Sequence, residues 1–519
     1  MVKTKILWVD DEVELLKPHI IFLEDKGFVI TTCTNGSDAI ESMKSENFNA
    51  ILLDENMPGL NGIETLSIMK EIDSNIPIIM ITKSEEENIM DEAIGNKISD
   101  YLIKPVNPNQ ILLSLKKNLE NKELISDKTV SGYQQEFRNI SIELSDINTI
   151  EQWKEMYLKL ISWEIKLEDN SNDTMLDILI SQKNEANRLF SKFVEENYKS
   201  WLNENKTSLL LSNNIIKDRL VNELSESTPT LFIVIDNLRY DQWKVIEPLI
   251  YNHYSKITEE AYLSILPTTT QYARNSLFSG LMPLEIQKLY PEYWKNDSDE
   301  GGKNLYEEKL LKENLRKLGY GDITCEYSKI TNLNIGKKIT ENIKAKKKNN
   351  LTVIVYNFVD MLSHSKTEME IIKELASNDK GYRDLTISWF KNSPLFDIIR
   401  KGQENGFKLV ITTDHGTINV KNSSKIIGDR ETSQNLRYKT GRSLTFNDKD
   451  VICFNNPRDI YLPNVSINSS YVFAKESTYL VYPNNYNYYA NYFRDTYQHG
   501  GISLEEMIIP YAVLMPKPK

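Results

Sequence analysis

From Tyr133 to Thr228 the chain contains neither glycine nor proline, a run of 96 residues. Those two residues are the strongest local breakers of regular structure, so their absence over such a length leaves little but helix. Apolar and aromatic residues recur there at helical spacing: Trp153, Met156, Tyr157, Leu160, Trp163 and Leu167, then Leu189, Phe190, Phe193, Tyr198 and Trp201. A stripe of that period needs a partner surface. It predicts a bundle of three to five helices, with a turn at the Asn/Asp-rich stretch Glu168–Asp173. On either side of this run, short apolar segments alternate with amphipathic ones. The chain of 519 residues therefore divides into parts at 1–122, 123–228 and 229–519.

The net charge of −12 argues against a protein that simply coats duplex DNA, which needs a basic face. No helix-turn-helix pattern follows the first part. The three cysteines, Cys33, Cys325 and Cys453, lie far apart, which fits a reducing compartment and excludes a thiolate metal site. No apolar run approaches the ~20 residues of a membrane span, and the first residues lead into a strand without a signal-type core. The expectation is a soluble cytoplasmic protein without membrane insertion.

In the first part, strands are predicted at Ile6–Val9, Val29–Thr32, Ala50–Leu53, Pro77–Ile81 and Asp100–Leu102, with helices such as Val13–Lys26 and Gly62–Glu71 between them. Five strands at this spacing imply βα repeats and a parallel sheet. The polar residues of interest all fall at strand C-termini: Asp10 and Asp11, Asp54, Thr82, and Lys104 after Tyr101. Carboxylates converging at that edge form an oxygen-only pocket for a hard cation such as Mg²⁺. Asp11 and Asp54 would hold it, with Asp10 acting directly or through water. Asp54 would accept a phosphoryl group and Lys104 would neutralise it. Thr82 would donate to a phosphate oxygen, and Tyr101 would follow between exposed and buried rotamers.

The third part repeats the pattern on a larger scale. Leu231–Ile235 ends at Asp236, Leu351–Tyr356 runs on to Asp360, and Lys408–Thr413 ends at Asp414-His415-Gly416. Of only five histidines, His364 lies four residues after Asp360, His415 follows Asp414, and His499 opens His499-Gly500-Gly501. Imidazole with carboxylate and no thiolate suits catalytic zinc, or manganese or iron. Asp360, His364 and His499 alone would make an iron-type triad, but that leaves Asp236, Asp414 and His415 without a role. Two ions about 4 Å apart use all six and suit displacement at phosphorus. A hydroxyl nucleophile is available in Pro267-Thr268-Thr269-Thr270, followed by a helix predicted over Gln271–Phe278 that ends at Gly280. A threonine at a helix N-terminus has backbone N–H groups beside it that favour a bound phosphate.

The first part resembles the receiver domain of two-component response regulators in its acidic pair, the loop Asp54-Glu55-Asn56-Met57-Pro58-Gly59, Thr82, and Lys104-Pro105. The resemblance implies a flavodoxin-like fold and phosphorylation of Asp54 by a sensor histidine kinase. The third part resembles the alkaline-phosphatase superfamily, and within it the PglZ-type domain, in the order Asp236, Thr270, Asp360/His364, Asp414/His415, His499. This implies an alkaline-phosphatase-like α/β domain after a central all-α bundle. It also implies two Zn²⁺, one on Asp360, His364 and His499, the other on Asp236, Thr270, Asp414 and His415, with Thr270 as nucleophile. The three-part arrangement is similar to response regulators associated with type IX secretion. That likeness implies phosphodiesterase activity on linear or cyclic oligonucleotides and a homodimer formed on phosphorylation. The alternative is a metal-stabilised docking platform for a transcription partner such as a sigma factor.

Lesser candidates are Asn275, as a donor to a non-bridging phosphate oxygen, and Arg437, Lys439 and Arg442, beside an expected loop, as a second phosphate site. Seven tyrosines between Tyr479 and Tyr497 would stack bases or, the favoured reading, simply pack. Lys344–Lys348 reads as a solvated helix end. His19 and His253, the latter expected on a helix, read as ordinary.

Overall fold

The computed structural model describes residues 4–83, 98–169, 173–203, 209–297, 299–357, 376, 378–429, 433–466 and 468–518. Asp360 and His364 lie outside the described residues. Packing separates two compact units, Met1–Gln135 and Glu136–Lys519. The expected boundary at 122/123 and the observed one both fall inside a single helix, Pro108–Asp146. No helix among the described residues is long and apolar enough to cross a membrane.

The first unit is built on β1 (Thr4–Val9), β2 (Phe28–Cys33), β3 (Ala50–Asp54), β4 (Ile78–Thr82) and β5 (Asp100–Ile103). All are parallel, in the order β2-β1-β3-β4-β5. The strands are short apolar runs because both faces of the sheet are covered. Leu7, Val9, Ile51 and Leu53 pack on one face. Their sequence neighbours Ile6, Trp8, Ala50 and Leu52 pack on the other, as the two-residue period of a strand requires. The order reverses between β1 and β3, and such a switch point opens a crevice at the strand C-termini. The first helix, α1, begins at Lys17 and ends at Asp25; the preceding Val13–Leu16 is a tighter 3₁₀ turn. A capping box of Asn61 and Glu64 fixes the start of the helix Gly62–Ile72 (α2) directly after the Asp54 loop.

The second unit holds a six-stranded sheet of β6 (Thr230–Ile235), β7 (Tyr254–Leu263), β8 (Cys325–Ile330), β9 (Leu351–Tyr356), β10 (Lys408–Thr412) and β18 (Ile508–Pro516) in the order β7-β18-β10-β6-β9-β8. Four strands, β10-β6-β9-β8, are parallel. Strands β18 and β7 extend the edge antiparallel. Smaller pairings complete the unit: β11 (Ile418–Asn419) with β17 (Tyr497–Gln498), β12 (Asn422–Lys425) with β16 (Thr478–Val481), and β13 (Tyr438–Gly441) and β14 (Val451–Phe454) flanking β15 (Ser470–Ala474).

The expected helices are Ile150–Asp169 (α3) and Asp173–Asn203 (α4), packed through Trp153 edge-on to Phe190 at 5.4 Å. They belong to the same compact unit as the sheet. Arg383, on the helix Asp379–Asn392 (α5), is buried and reaches Glu168 at 2.6 Å and Glu164 at 3.3 Å on α3, and Asp241 at 2.5 Å. Asn187 of α4 donates to Glu505 at 3.0 Å and accepts from the Leu504 backbone at 2.8 Å. Side-chain ions buried this deeply are tolerated only because they are mutually paired.

The run Lys344–Lys348 is exposed as expected except at Lys346. Lys346 is buried and pairs with Glu326, so the segment is not simply a solvated end. His253 lies in the turn after the helix Tyr240–Ile250 rather than on a helix, edge-on to Phe396 at 5.9 Å. His19 bonds the Val106 carbonyl at 2.9 Å through Nε2.

Candidate functional site

The first unit gathers Asp10, Asp11 and Asp54, whose carboxylate oxygens lie within 4.8 Å of one another. Lys104 bridges two of them, 2.8 Å from Asp10 and 2.7 Å from Asp54. Burial pushes the Asp54 carboxyl up, and the ammonium of Lys104 opposes that push. Burial also works against the Lys104 ammonium, but its bonds to Asp10 and Asp54 outweigh it and hold its pKa above the ordinary value. The pocket therefore pairs oxygen-only donors with a fixed cation, and its donor set suits a hard ion such as Mg²⁺. Thr82, fully buried, donates its hydroxyl to Glu55. Burial raises the Tyr101 phenol, and a hydrogen bond with Thr82 partly offsets it.

The second unit brings Asp236, after β6, together with Asp414 and His415, after β10. Their ligand atoms also lie within 4.8 Å of one another, and all three residues are buried. These positions are neighbours because β6 and β10 are adjacent parallel strands and deliver their C-termini to one edge. Of the three threonines, only Thr270 places its hydroxyl between them, 3.1 Å from Asp236 Oδ1 and 3.1 Å from His415 Nε2. Thr268 is occupied otherwise. It donates to Gly501 O at 2.9 Å and accepts from Gly500 N–H at 3.0 Å, which ties the His499 turn to the nucleophile loop. The His499 ring stacks on that of His415 with centroids 4.5 Å apart.

The helix after Thr270 is irregular. Residues Thr270–Arg274 form a π turn before the α turn Asn275–Ser279, which ends at Gly280 in the left-handed region, φ 69°. Single π turns inside helices concentrate at functional sites. Here the turn aims Arg274 back at the cluster: its guanidinium lies 2.8 Å from Asp236, 2.6 Å from Glu307 and 3.8 Å from Asp414. Arg274 and Glu307 had no signal in the sequence, because neither lies at a strand end or near a histidine. The Asp414 carboxyl is pushed well up by burial and by the charge of Asp236, with Arg274 opposing. Among the described residues its buried Oδ2 has no hydrogen bond. Two carboxylates and an imidazole this close, with an orphaned oxygen, suit a borderline cation such as zinc. The backbone around them is held by many bonds. Leu238 N–H donates to Thr413 Oγ1 at 3.0 Å, Ser264 donates to Asp414 O at 2.7 Å, and Tyr198 of α4 accepts from Leu266 N–H at 2.8 Å.

The lesser candidates fare unequally. Both Asn275 amide contacts are to carbonyl oxygens, Gln271 at 2.8 Å and Lys303 at 3.2 Å, so its nitrogen is already committed, and its buried Oδ1 has no hydrogen-bond partner among the described residues. Arg437 is not a phosphate ligand: it is fully buried and paired with Glu506 at 2.6 Å. Arg442 is exposed beside Asp429 at 3.5 Å. Lys439 is buried on β13. The tyrosines divide. Tyr479 and Tyr497 are core, whereas Tyr488, Tyr489 and Tyr492 stand exposed on the helix Tyr486–Phe493 (α6).

The fold and the two clusters define a two-component response regulator whose C-terminal unit has a phosphatase-superfamily fold. Residues 6–116 match the response regulator receiver domain, 123–202 the PorX response regulator linker domain, and 216–514 the BREX system PglZ alkaline phosphatase-like domain. The last match spans more than half of the sequence, and the chain belongs to the PglZ family, in the three-part arrangement of a PorX-type regulator. Among curated proteins it is similar to the transcriptional regulatory protein CpxR homolog of Haemophilus influenzae, 32% identical over 166 residues, 32% of this chain and 70% of that protein. It is also similar to the transcriptional regulatory protein ResD of Bacillus subtilis, 36% identical over 114 residues, 22% of this chain and 47% of ResD, so the chain spans about half of that relative. Among solved structures, a CheY-like receiver domain from Methanospirillum hungatei is 26% identical and covers 23% of this chain and 96% of its own, with a TM-score of 0.23. Chemotaxis protein CheY4 of Vibrio cholerae is 28% identical and covers 23% and 100%, with a TM-score of 0.22.

Proposed function

We propose that the chain is a phosphorylation-controlled phosphodiesterase acting on linear or cyclic oligonucleotides, with Thr270 as nucleophile. The observation that carries this reading is the place of Thr270 Oγ1, within 3.1 Å of both Asp236 and His415. His415 Nδ1 lies 3.0 Å from Gly416 O. A carbonyl only accepts, so Nδ1 carries the ring proton and Nε2 turns a lone pair toward the threonine. The Thr270 proton thus has two acceptors, which leaves an oxygen lone pair for attack. Asp236, Asp414 and His415 would hold one divalent ion with Thr270, and Asp360, His364 and His499 a second. When bound, zinc at such positions lowers the hydroxyl pKa and stabilises the attacking and leaving oxygens. Thr270 Oγ1 bonds to phosphorus as the bond to the leaving nucleoside oxygen breaks. Water then hydrolyses the phosphothreonine ester.

In the receiver unit, Asp54 takes the phosphoryl group from a sensor histidine kinase while Asp10, Asp11 and Asp54 hold Mg²⁺. Lys104, 2.7 Å from Asp54, would neutralise that phosphate. Thr82 exchanges Glu55 for a phosphate oxygen, and Tyr101 follows it. Phosphorylation favours a homodimer, and the resemblance to response regulators associated with type IX secretion is what motivates a role in controlling that secretion. Purified full-length chain is expected to contain zinc and to hydrolyse bis-p-nitrophenyl phosphate, and Thr270→Val to lose that turnover by at least 100-fold. Undiminished turnover in Thr270→Val refutes the nucleophile. A solution mass unchanged by beryllofluoride removes the dimerisation step.

A further inference from the structure

The cavity that opens beside the Thr270 site is far larger than a phosphate needs. It measures about 790 Å³, the range that takes a whole drug-sized ligand. Its lining includes His499, whose ring stacks on that of His415, and Gln271, the residue after Thr270, which sets the cavity beside the Thr270 site. One part of its lining is aromatic. Tyr489, 41% exposed, stacks on Phe493 with rings 6.1 Å apart and 15° from parallel. Tyr482 completes that part. Asp297, the acidic member of the lining, already accepts a hydrogen bond from Tyr438 at 2.7 Å.

Lys439 is the unusual group in this lining. It is 1% exposed, and among the described residues its ammonium contacts only the face of Tyr482, 4.4 Å from the ring centre. Burial alone pushes its pKa down to about 7. A lysine buried without a carboxylate is costly, and a cavity wall is where an incoming anion removes that cost. Aromatic rings beside a buried cation that lacks a carboxylate, with Lys303 a second basic residue in the lining, match a base and its phosphate, the two chemistries of single-strand recognition.

We propose that this cavity is a nucleotide subsite, in which the Tyr489–Phe493 wall stacks the base next to the scissile phosphate and Lys439 pairs with the neighbouring phosphate. The proposal rests on the phosphodiesterase reading and adds to it the residues that hold the base and the neighbouring phosphate.

The test uses full-length chain carrying Thr270→Val to prevent turnover, titrated with tetrathymidylate at several salt concentrations. Adding Tyr489→Ala is expected to weaken binding about tenfold or more, given the usual worth of one base stack. Adding Lys439→Met is expected to reduce the slope of log affinity against log salt by about 0.7, the loss of one phosphate contact on a single strand. Unchanged affinity in Tyr489→Ala, or an unchanged salt slope in Lys439→Met, overturns the subsite. A parallel assay on methyl p-nitrophenyl phosphate, which carries no base, separates the two readings. Turnover of that ester by the unmutated chain with no affinity for tetrathymidylate overturns the subsite and keeps the hydrolase. Tetrathymidylate binding that responds to both variants supports the subsite even where no ester is turned over.

Discussion

Replacing Lys439 with methionine gives a stability change whose size and pH dependence both follow from its burial. The unfolded chain keeps this proton up to the ordinary lysine value of 10.5, whereas the folded chain releases it at about 7. Between those limits the unfolded state binds more protons, so wild-type stability rises with pH through this window. Below pH 7 both states are protonated and the whole cost of the buried cation is present. A difference of 3.5 pH units at ~1.36 kcal/mol each sets that cost at about 5 kcal/mol at most. Lys439→Met keeps the volume and removes the charge. It should therefore stabilise the C-terminal unit most at pH 6 to 7, and the gain should shrink by ~1.4 kcal/mol per pH unit above that. Denaturant unfolding of both proteins at pH 6.5, 7.5, 8.5 and 9.5 reads this directly, because other titrating groups cancel in the difference. A gain that is flat with pH, or a loss, would refute the reasoning, since it would mean that the ammonium is solvated or paired.

Gly416→Ala puts a methyl carbon 1.9 Å from the backbone oxygen of Glu505. Backbone cannot swing aside, so the C-terminal unit should lose roughly 3 kcal/mol, read as a lower denaturation midpoint, and His415 should shift with the loop. Arg383→Met takes from buried Glu168 its cation, while Glu164 keeps Lys183 and Asp241 keeps Arg239, and should cost about 3 kcal/mol in the same measurement. Asp54→Asn should abolish acid-labile phosphate after incubation with acetyl phosphate and Mg²⁺, seen as a single band on a phosphate-affinity gel.

Much of this protein was legible in its linear order, because the physics involved is short-ranged. Apolar runs of four to six residues specify the strands, and the carboxylates just after Val9, Leu53, Ile235 and Thr413 mark strand ends whatever the strands pair with. The helices at Ile150–Asp169 and Asp173–Asn203 follow from 3.6-residue periodicity and the absence of breakers. What tertiary structure alone decided are partnerships between distant segments. The family resemblance points to Thr270, but its geometric setting exists only because β6 and β10 lie side by side, setting Asp236 and His415 around one hydroxyl. Arg437 and Lys439 are indistinguishable as nearby basic residues, yet folding gives Arg437 the carboxylate of Glu506 and leaves Lys439 against an aromatic ring at a cavity wall. Arg274 owes its place to a π turn that no local propensity announces, and it meets Glu307 from a separate helix, Glu307–Lys317. Periodicity and propensity report on neighbours within a turn or two. Charge pairing and burial depend on chain segments that meet only when the sheet forms.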